Sequence, residues 1–378
     1  MRTSTRRWTA ETGWVFSEAH LGEPALVLYF GAPSLMDGDA TPVRELVAEF
    51  PNAVVCGCST AGEILADRVH DESVVAALVW FESARVRAVA EPITKHAESM
   101  AVGRRVATLL NASDLRHVLI LSEGLTVNGT ALVKGFSDVL APGVTISGGL
   151  AGDGSHFKKT LVGLGDCVKS DQIVAVGFYG DGLVVSSGSR GGWEGFGPRR
   201  LITRSAGNTL FELDGMPALG LYKKYLGERA VGLPATGLLF PLELSQNLSN
   251  HHGLIRTILG VDEDAESLTF AGDMPEGWYV RLMKATAEQL MDGAALASNA
   301  AVNSNPNGSL VIMVSCVGRR LVLGQRTDEE LESVMDAQPD EAKAVGFYSY
   351  GEICHRRGGD ASELHNQTMT ITILSEHP

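Results

Sequence analysis

The sequence predicts an α/β fold in two domains, assembled from repeated β-α-β units whose mixed sheets are flanked by helices. Three observations carry this. Strand-length apolar runs alternate with helical stripes of 3.6-residue period, the alternation recurs in three segments of one layout, and each segment closes on a turn that sets glycine beside an acid.

The first segment runs from a strand at 25–31 through a helix with Val43, Leu46, Val47 and Phe50 on one stripe, into a strand at 53–56 and a turn at 57–64. A further strand follows at 73–81. The second runs from 117–121 through a helix striped by Leu132, Val133, Phe136, Val139 and Leu140, into 144–146, a turn at 147–154 and a strand at 172–179. The third runs from 310–314 through a helix bearing Leu331, Val334 and Met335, into 344–345, a turn at 346–353 and a strand at 367–374. A strand at 84–90 and a helix with Val102, Val106, Leu109 and Leu110 lead into the second copy. A strand at 278–283 and a helix with Leu290, Met291, Ala294 and Ala297 lead into the third.

Copies one and two are expected to form an N-terminal domain, 24–210, and copy three the core of a C-terminal domain, 211–378, with the seam near 205–216. Residues 181–276 stand outside the repeat. There, 188–198 reads as a Gly-rich hairpin whose Trp193 and Phe196 are candidates for a contact across the seam, and 216–226 as a short helix with a proline start.

Across 378 residues, 31 Lys+Arg against 45 Asp+Glu leave a net charge of −14, which argues against a nucleic-acid partner and against an anionic membrane surface. No apolar run approaches the ~20 residues a spanning helix needs, and the Arg-bearing start leads into no signal-peptide core. The expected location is cytoplasmic, without membrane insertion, and self-association into a homo-oligomer is open. Five cysteines without a C-x-x-C pair suggest neither a disulfide framework nor a structural zinc site. Cys56 and Cys58 share a strand face, where a buried thiol pair is the default and a metal or redox pair the alternative.

The recurring turn is the most specific feature. Glycine past a strand end frees the backbone, and the acid beside it either holds loop N–H groups or faces a ligand. Because ligands in open α/β sheets lie beyond strand C-termini, the turns nominate Cys58, Ser59, Thr60, Gly62, Glu63, Gly149, Gly152, Asp153, Ser349, Gly351 and Glu352 as ligand-binding, with Glu63, Asp153 and Glu352 in one equivalent place. Phosphate-loop spacing fails at 152–160. Cys58 or Ser59 could serve as the nucleophile of a hydrolase or transferase, although no Gly-x-Ser-x-Gly elbow forms; no catalytic residue and no metal site is assigned.

The turns at 57–64, 147–153 and 346–353, with His365-Asn366-Gln367-Thr368, Asp214 to Leu219, Arg256 to Asp262 and Ala271 to Gly277, resemble the FIST sensory family over about 24–374. The resemblance implies an N-terminal and a C-terminal FIST domain, a small-ligand input role without enzymatic activity, and an output through a separate histidine kinase or cyclic-di-nucleotide signalling enzyme. One branch of the family binds haem and senses nitric oxide. Membership of that branch would imply haem b held by a histidine, ranked as His365 and His355, then His251 and His252; Cys354-His355 replaces the family's usual Cys-Pro there. The alternative is an amino acid or other polar metabolite seated on the turns without haem.

Overall fold

A computed structural model describes residues 1–16, 22–248, 253–355 and 362–377. Its three repeated segments build three mixed sheets of one design. Each centres on a parallel pair: Leu26–Gly31 beside Val54–Ser59, Leu115–Ser122 beside Thr145–Leu150, and Leu310–Cys316 beside Lys343–Ser349. A parallel pair needs a crossover. Here it is supplied by the helices Thr41–Glu49, Gly129–Ser137, and Val317–Leu323 with Thr327–Met335. The other flank of each pair carries an antiparallel strand, Val74–Trp80, Gln172–Tyr179 or Met369–Glu376. An outer strand follows, Arg2–Thr9, Arg85–Pro92 or Leu183–Arg190.

The copies then exchange their ends. After its turn, copy one sends the hairpin Glu63–Leu65/Arg68–His70 onto Lys343–Ser349 of the third sheet. Copy two sends Val162–Leu164/Cys167–Lys169 onto Val54–Ser59 of the first. Copy three sends Gly351–His355/Ser362–His365 onto Thr145–Leu150 of the second. Each sheet is thus completed by another copy, in one cyclic order, and the three close into a pseudo-threefold ring.

The alternation of strand side chains explains how the ring holds together. Leu28, Phe30, Cys56 and Val75 of the first sheet, Leu119 and Val176 of the second, and Ile312, Val314 and Phe347 of the third face one shared inner core. Phe30 and Phe347 stack across it at 4.7 Å. The outer faces lie under helices, as where Val43 and Leu46 cover Val27 and Tyr29. Each fully buried Leu, Ile or Phe contributes roughly 1.5–3 kcal/mol, so closure of the ring is driven by apolar area that no single copy could bury.

The fourth sheet departs from the sequence expectation. The hairpin expected at 188–198 does not form: Leu183–Arg190 is the outer strand of the third ring sheet, and after Gly191–Trp193 the chain enters Glu194–Ala206 of a separate antiparallel sheet. Likewise Tyr279–Lys284, expected to lead into copy three, pairs with Glu194–Ala206 and with Leu242–Ser245 in that fourth sheet. Both readings erred for one reason. The unit between Trp193 and Thr286 is inserted between an outer strand and the helix Ala287–Val302 that belongs with it. The expected helix after the proline is present as Ala218–Leu226, and it packs Leu219, Tyr222 and Leu226 on the inserted sheet around a core of its own.

Candidate functional site

Register fixes which turn residues correspond. Gly57, Gly148 and Gly346 face Tyr29, Ile120 and Met313 across the parallel pairs, and a Cβ at any of the three would overlap that partner's carbonyl oxygen. Counting onward, Glu63 lies opposite Phe347 and Glu352 opposite Gly149, in each case one residue past the glycine. The matching place in copy two is Val162, opposite Cys58. Asp153 therefore does not share the place of the two glutamates. It sits in an extra loop before the hairpin, and aligning the copies by their Gly-acid pairs slides the register.

The two equivalent carboxyls are built alike. Thr60 Oγ1 donates to Glu63 at 2.6 Å, and Ser73 donates to it through Oγ at 2.9 Å. Ser349 Oγ donates to Glu352 at 2.7 Å, with Thr368 giving its N–H at 3.1 Å and Oγ1 at 3.0 Å. Burial pushes both carboxyls up to about 7, against the pull of these hydrogen bonds. Asp153 does other work: it accepts the N–H groups of Phe157, Lys158 and Lys159 at 2.8–2.9 Å and the hydroxyl of Tyr350, so it ties its own loop to copy three.

The three turns do converge. Gly152 N–H donates to Ser59 O, Ser59 Oγ to Gly152 O, Gly154 N–H to Thr60 O, and Tyr350 N–H to Leu150 O. Tyr348 N–H reaches Gly62 O while Ala61 N–H reaches Tyr348 O. Cys58, Ser59, Thr60, Gly62, Glu63, Gly149, Gly152, Asp153, Ser349, Gly351 and Glu352 are all buried, and they fill the meeting point with bonds to one another. Cys58 is a neutral thiol there, its pKa raised well above the ordinary value by burial, and Ser59 Oγ is engaged as donor to Gly152 and as acceptor from Leu161 N–H.

Two of the four haem candidates, His365 and His355, lie on one hairpin. His365 is half-buried on Ser362–His365, the edge strand of the second sheet, opposite Glu352 in register. His355 ends the strand Gly351–His355, and His251 and His252 lie outside the described residues. An axial ligand must stand beside a broad apolar slot, and the two concavities described below contain neither histidine nor cysteine. Neither of these two concavities therefore offers haem b an axial ligand.

Those concavities lie on the inserted unit. Beneath the helix Ala218–Leu226 a narrow cleft is lined by Phe196, Leu213, Tyr222, Val280, Arg281 and Leu282, together with Arg200 and Tyr225. A kink where Gly197–Arg199 bulge out of the ladder opens this wall. Arg200 and Tyr225 also border an outer hollow of about 410 Å³, with Lys224, Met216 and Glu266 around it. Arg200 donates from Nε at 2.9 Å and from one terminal nitrogen at 2.6 Å to Tyr225 Oη, and from the other to Asp214 at 3.0 Å. Sequence reading named Phe196 for a contact across the seam, whereas it packs on the insertion's own core, and it missed the others because they come from separate strands, a helix and a turn. The one available signal was Asp214 to Leu219, quoted for its resemblance but given no site role.

Of the joint between ring and insertion, sequence reading named Trp193 and missed the rest. Arg319 and Glu330 form an ion pair at 2.6 Å with both side chains fully buried; Arg319 also reaches Gly191 O and Leu290 O, and Tyr348 Oη donates to Glu330. Trp193 Nε1 donates to Gln367 O at 2.8 Å, and Gln367 Nε2 to Leu238 O at 2.9 Å. The segment His365 to Thr368 thus serves both the Glu352 carboxyl and the insertion.

Models of known families decide the lineage: that of the FIST N domain matches residues 25–216 and that of the FIST C domain matches residues 218–355. The chain belongs to the FIST family. No curated protein matches it. FIST domains are sensory, so the coarse role is signal input. The FIST N match takes in Leu183–Arg190 of the third sheet, and the FIST C match ends on the hairpin strand that completes the second. The two FIST domains are consequently interleaved through the ring. No helix among the described residues is long and apolar enough to cross a membrane.

Proposed function

We propose that this FIST protein is a signal-input module without chemistry of its own, in which a small molecule occupies the cleft under the helix Ala218–Leu226 and a separate histidine kinase or cyclic-di-nucleotide enzyme reads the result. The observation that carries this reading is the location of concavity: the converging turns are filled by their own hydrogen bonds, whereas the inserted unit holds an apolar cleft with a polar edge. A ligand shifts a conformational equilibrium only by binding one arrangement better. The insertion meets the ring through polar ties of Trp193 and Leu238 to Gln367, of Arg256 to Leu364 O and of Asp273 to Asn128, and through Leu238 and Ala271 packed in the ring's core, so a change in its arrangement would be felt there.

A screen of metabolites by thermal unfolding, followed by hydrogen exchange of each stabilising compound, tests this. The expected result is a raised Tm with new protection at Ala218–Leu226 and Tyr279–Lys284. A stabilising compound that protects the turns at Ser59–Glu63 and Ser349–Glu352 instead would return the site to the ring.

A further inference from the structure

We infer that the ligand of this cleft is a carboxylate with an apolar body, its oxygens held by Arg200, Tyr225 and Lys224 and its body lying against Phe196, Leu213 and Leu282; this rests on the cleft being the ligand site. The guanidinium has five N–H groups. Three are committed, two to the Tyr225 hydroxyl and one to Asp214, which leaves one on each terminal nitrogen. Tyr225 Oη accepts from Arg200 twice, so its own O–H remains to be donated, and no acceptor for it stands among the described residues. Lys224, exposed at the outer hollow that Arg200 and Tyr225 also border, has no carboxylate within ion-pair distance among the described residues. Three kinds of donor therefore border the outer hollow, and two of them, Arg200 and Tyr225, also line a cleft whose walls are hydrocarbon apart from Arg281.

That arrangement selects by chemistry. A carboxylate offers two oxygens to charge-assisted donors, which bind it more strongly than they bind a neutral hydroxyl. Asp214 neutralises part of the Arg200 charge, and Glu266 faces Lys224 across the outer hollow, so a dianion gains less than a single negative group. The apolar wall excludes a small polar anion from gaining affinity, because only a ligand with a hydrocarbon body removes Phe196, Leu213 and Leu282 from water.

The test is calorimetric titration of the full chain with matched pairs, octanoate against octanol and phenylacetate against phenylethanol. The expected result is that at least one carboxylate binds about tenfold or more tighter than its alcohol, and that Arg200→Met and Tyr225→Phe each shrink that ratio by weakening the acid more than the alcohol. Tyr225→Phe keeps the ring in place, so it reports even if Arg200→Met fails to fold. Equal binding of acid and alcohol, with Ala218–Leu226 protected by both in hydrogen exchange, overturns the carboxylate assignment and leaves the cleft as the site. No binding by any of the four overturns the assignment, and hydrogen exchange with the stabilising compounds of the metabolite screen then decides the site separately.

Discussion

Replacing Glu63 or Glu352 by glutamine tests the physical character of the ring's centre. Each carboxyl titrates near 7 in the folded chain because it is buried, against 4.5 when unfolded. A raised folded pKa favours the protonated form, so the stability it contributes is full below about 4.5 and is lost as pH rises through about 7. Between pH 5 and pH 8 the linkage relation gives a loss of about 2.5 kcal/mol per group, since one unit of pKa difference is about 1.4 kcal/mol. Urea unfolding of wild type and of each variant at both pH values measures it. Glutamine cannot ionise, so the variant should lose less stability than wild type over that range, by about 2 kcal/mol, and the double variant by about twice that. In each variant the amide oxygen can stay with the donors of Ser73 or of Thr368, whose N–H and hydroxyl share one carboxyl oxygen, while the amide N–H2 meets the hydroxyl of Thr60 or Ser349, which must turn to accept; that limits the cost at low pH. A wild-type-minus-variant difference that stays flat from pH 5 to pH 8 would refute the reasoning, because it would mean that these hydroxyl and amide donors hold the carboxylates ionised at ordinary pKa despite burial.

Arg319→Met should cost about 3–5 kcal/mol in urea unfolding by stranding a buried Glu330, and adding Glu330→Met should restore part of that loss. Gly57→Ala, Gly148→Ala and Gly346→Ala should each abolish folded protein, as read by circular dichroism, since each methyl meets a backbone carbonyl that cannot move aside. Gly165→Ala, at positive φ with open space around it, should cost only about 1 kcal/mol. Asp153→Ala should destabilise by about 1–3 kcal/mol and raise the amide exchange of Phe157, Lys158 and Lys159, which lose their acceptor.

The elements of the ring were legible because their physics is local. The stripe of Val43 and Leu46, the apolar run Val118 to Leu121 and the glycine near the end of each second strand state helix, buried strand and close approach within a few residues. What the sequence concealed was pairing. Nothing in Glu63-Ile64-Leu65 says that it completes a sheet made by residues nearly three hundred positions later, because a three-residue strand carries too little pattern to name its partner. The insertion was hidden likewise: Tyr279–Lys284 alternates like any strand beside a covered face, so its nearness to the helix Ala287–Val302 suggested membership in copy three. The candidate turns were found at the right depth in the fold, and their crowding was not, since it arises from three copies meeting at one point.

That crowding bears on how a FIST protein could transmit anything. A ring whose sheets are each finished by another copy cannot release one copy without breaking backbone ladders in two sheets, so its parts move together or not at all. The inserted sheet is differently placed: it owns a separate core, and polar ties fasten it to the ring beside the Glu352 carboxyl. Gln367, held between Leu238 of the insertion and the Thr368–Glu352 bond, is where displacement of the one would be felt by the other. Trp193, also bonded at Gln367 O, makes the same junction visible by fluorescence. A ligand in the cleft should therefore shift Trp193 emission relative to a Trp193→Phe control, and the shift should vanish in Gln367→Ala while binding persists. Retention of the full shift in Gln367→Ala would show that the insertion reaches the ring by another route.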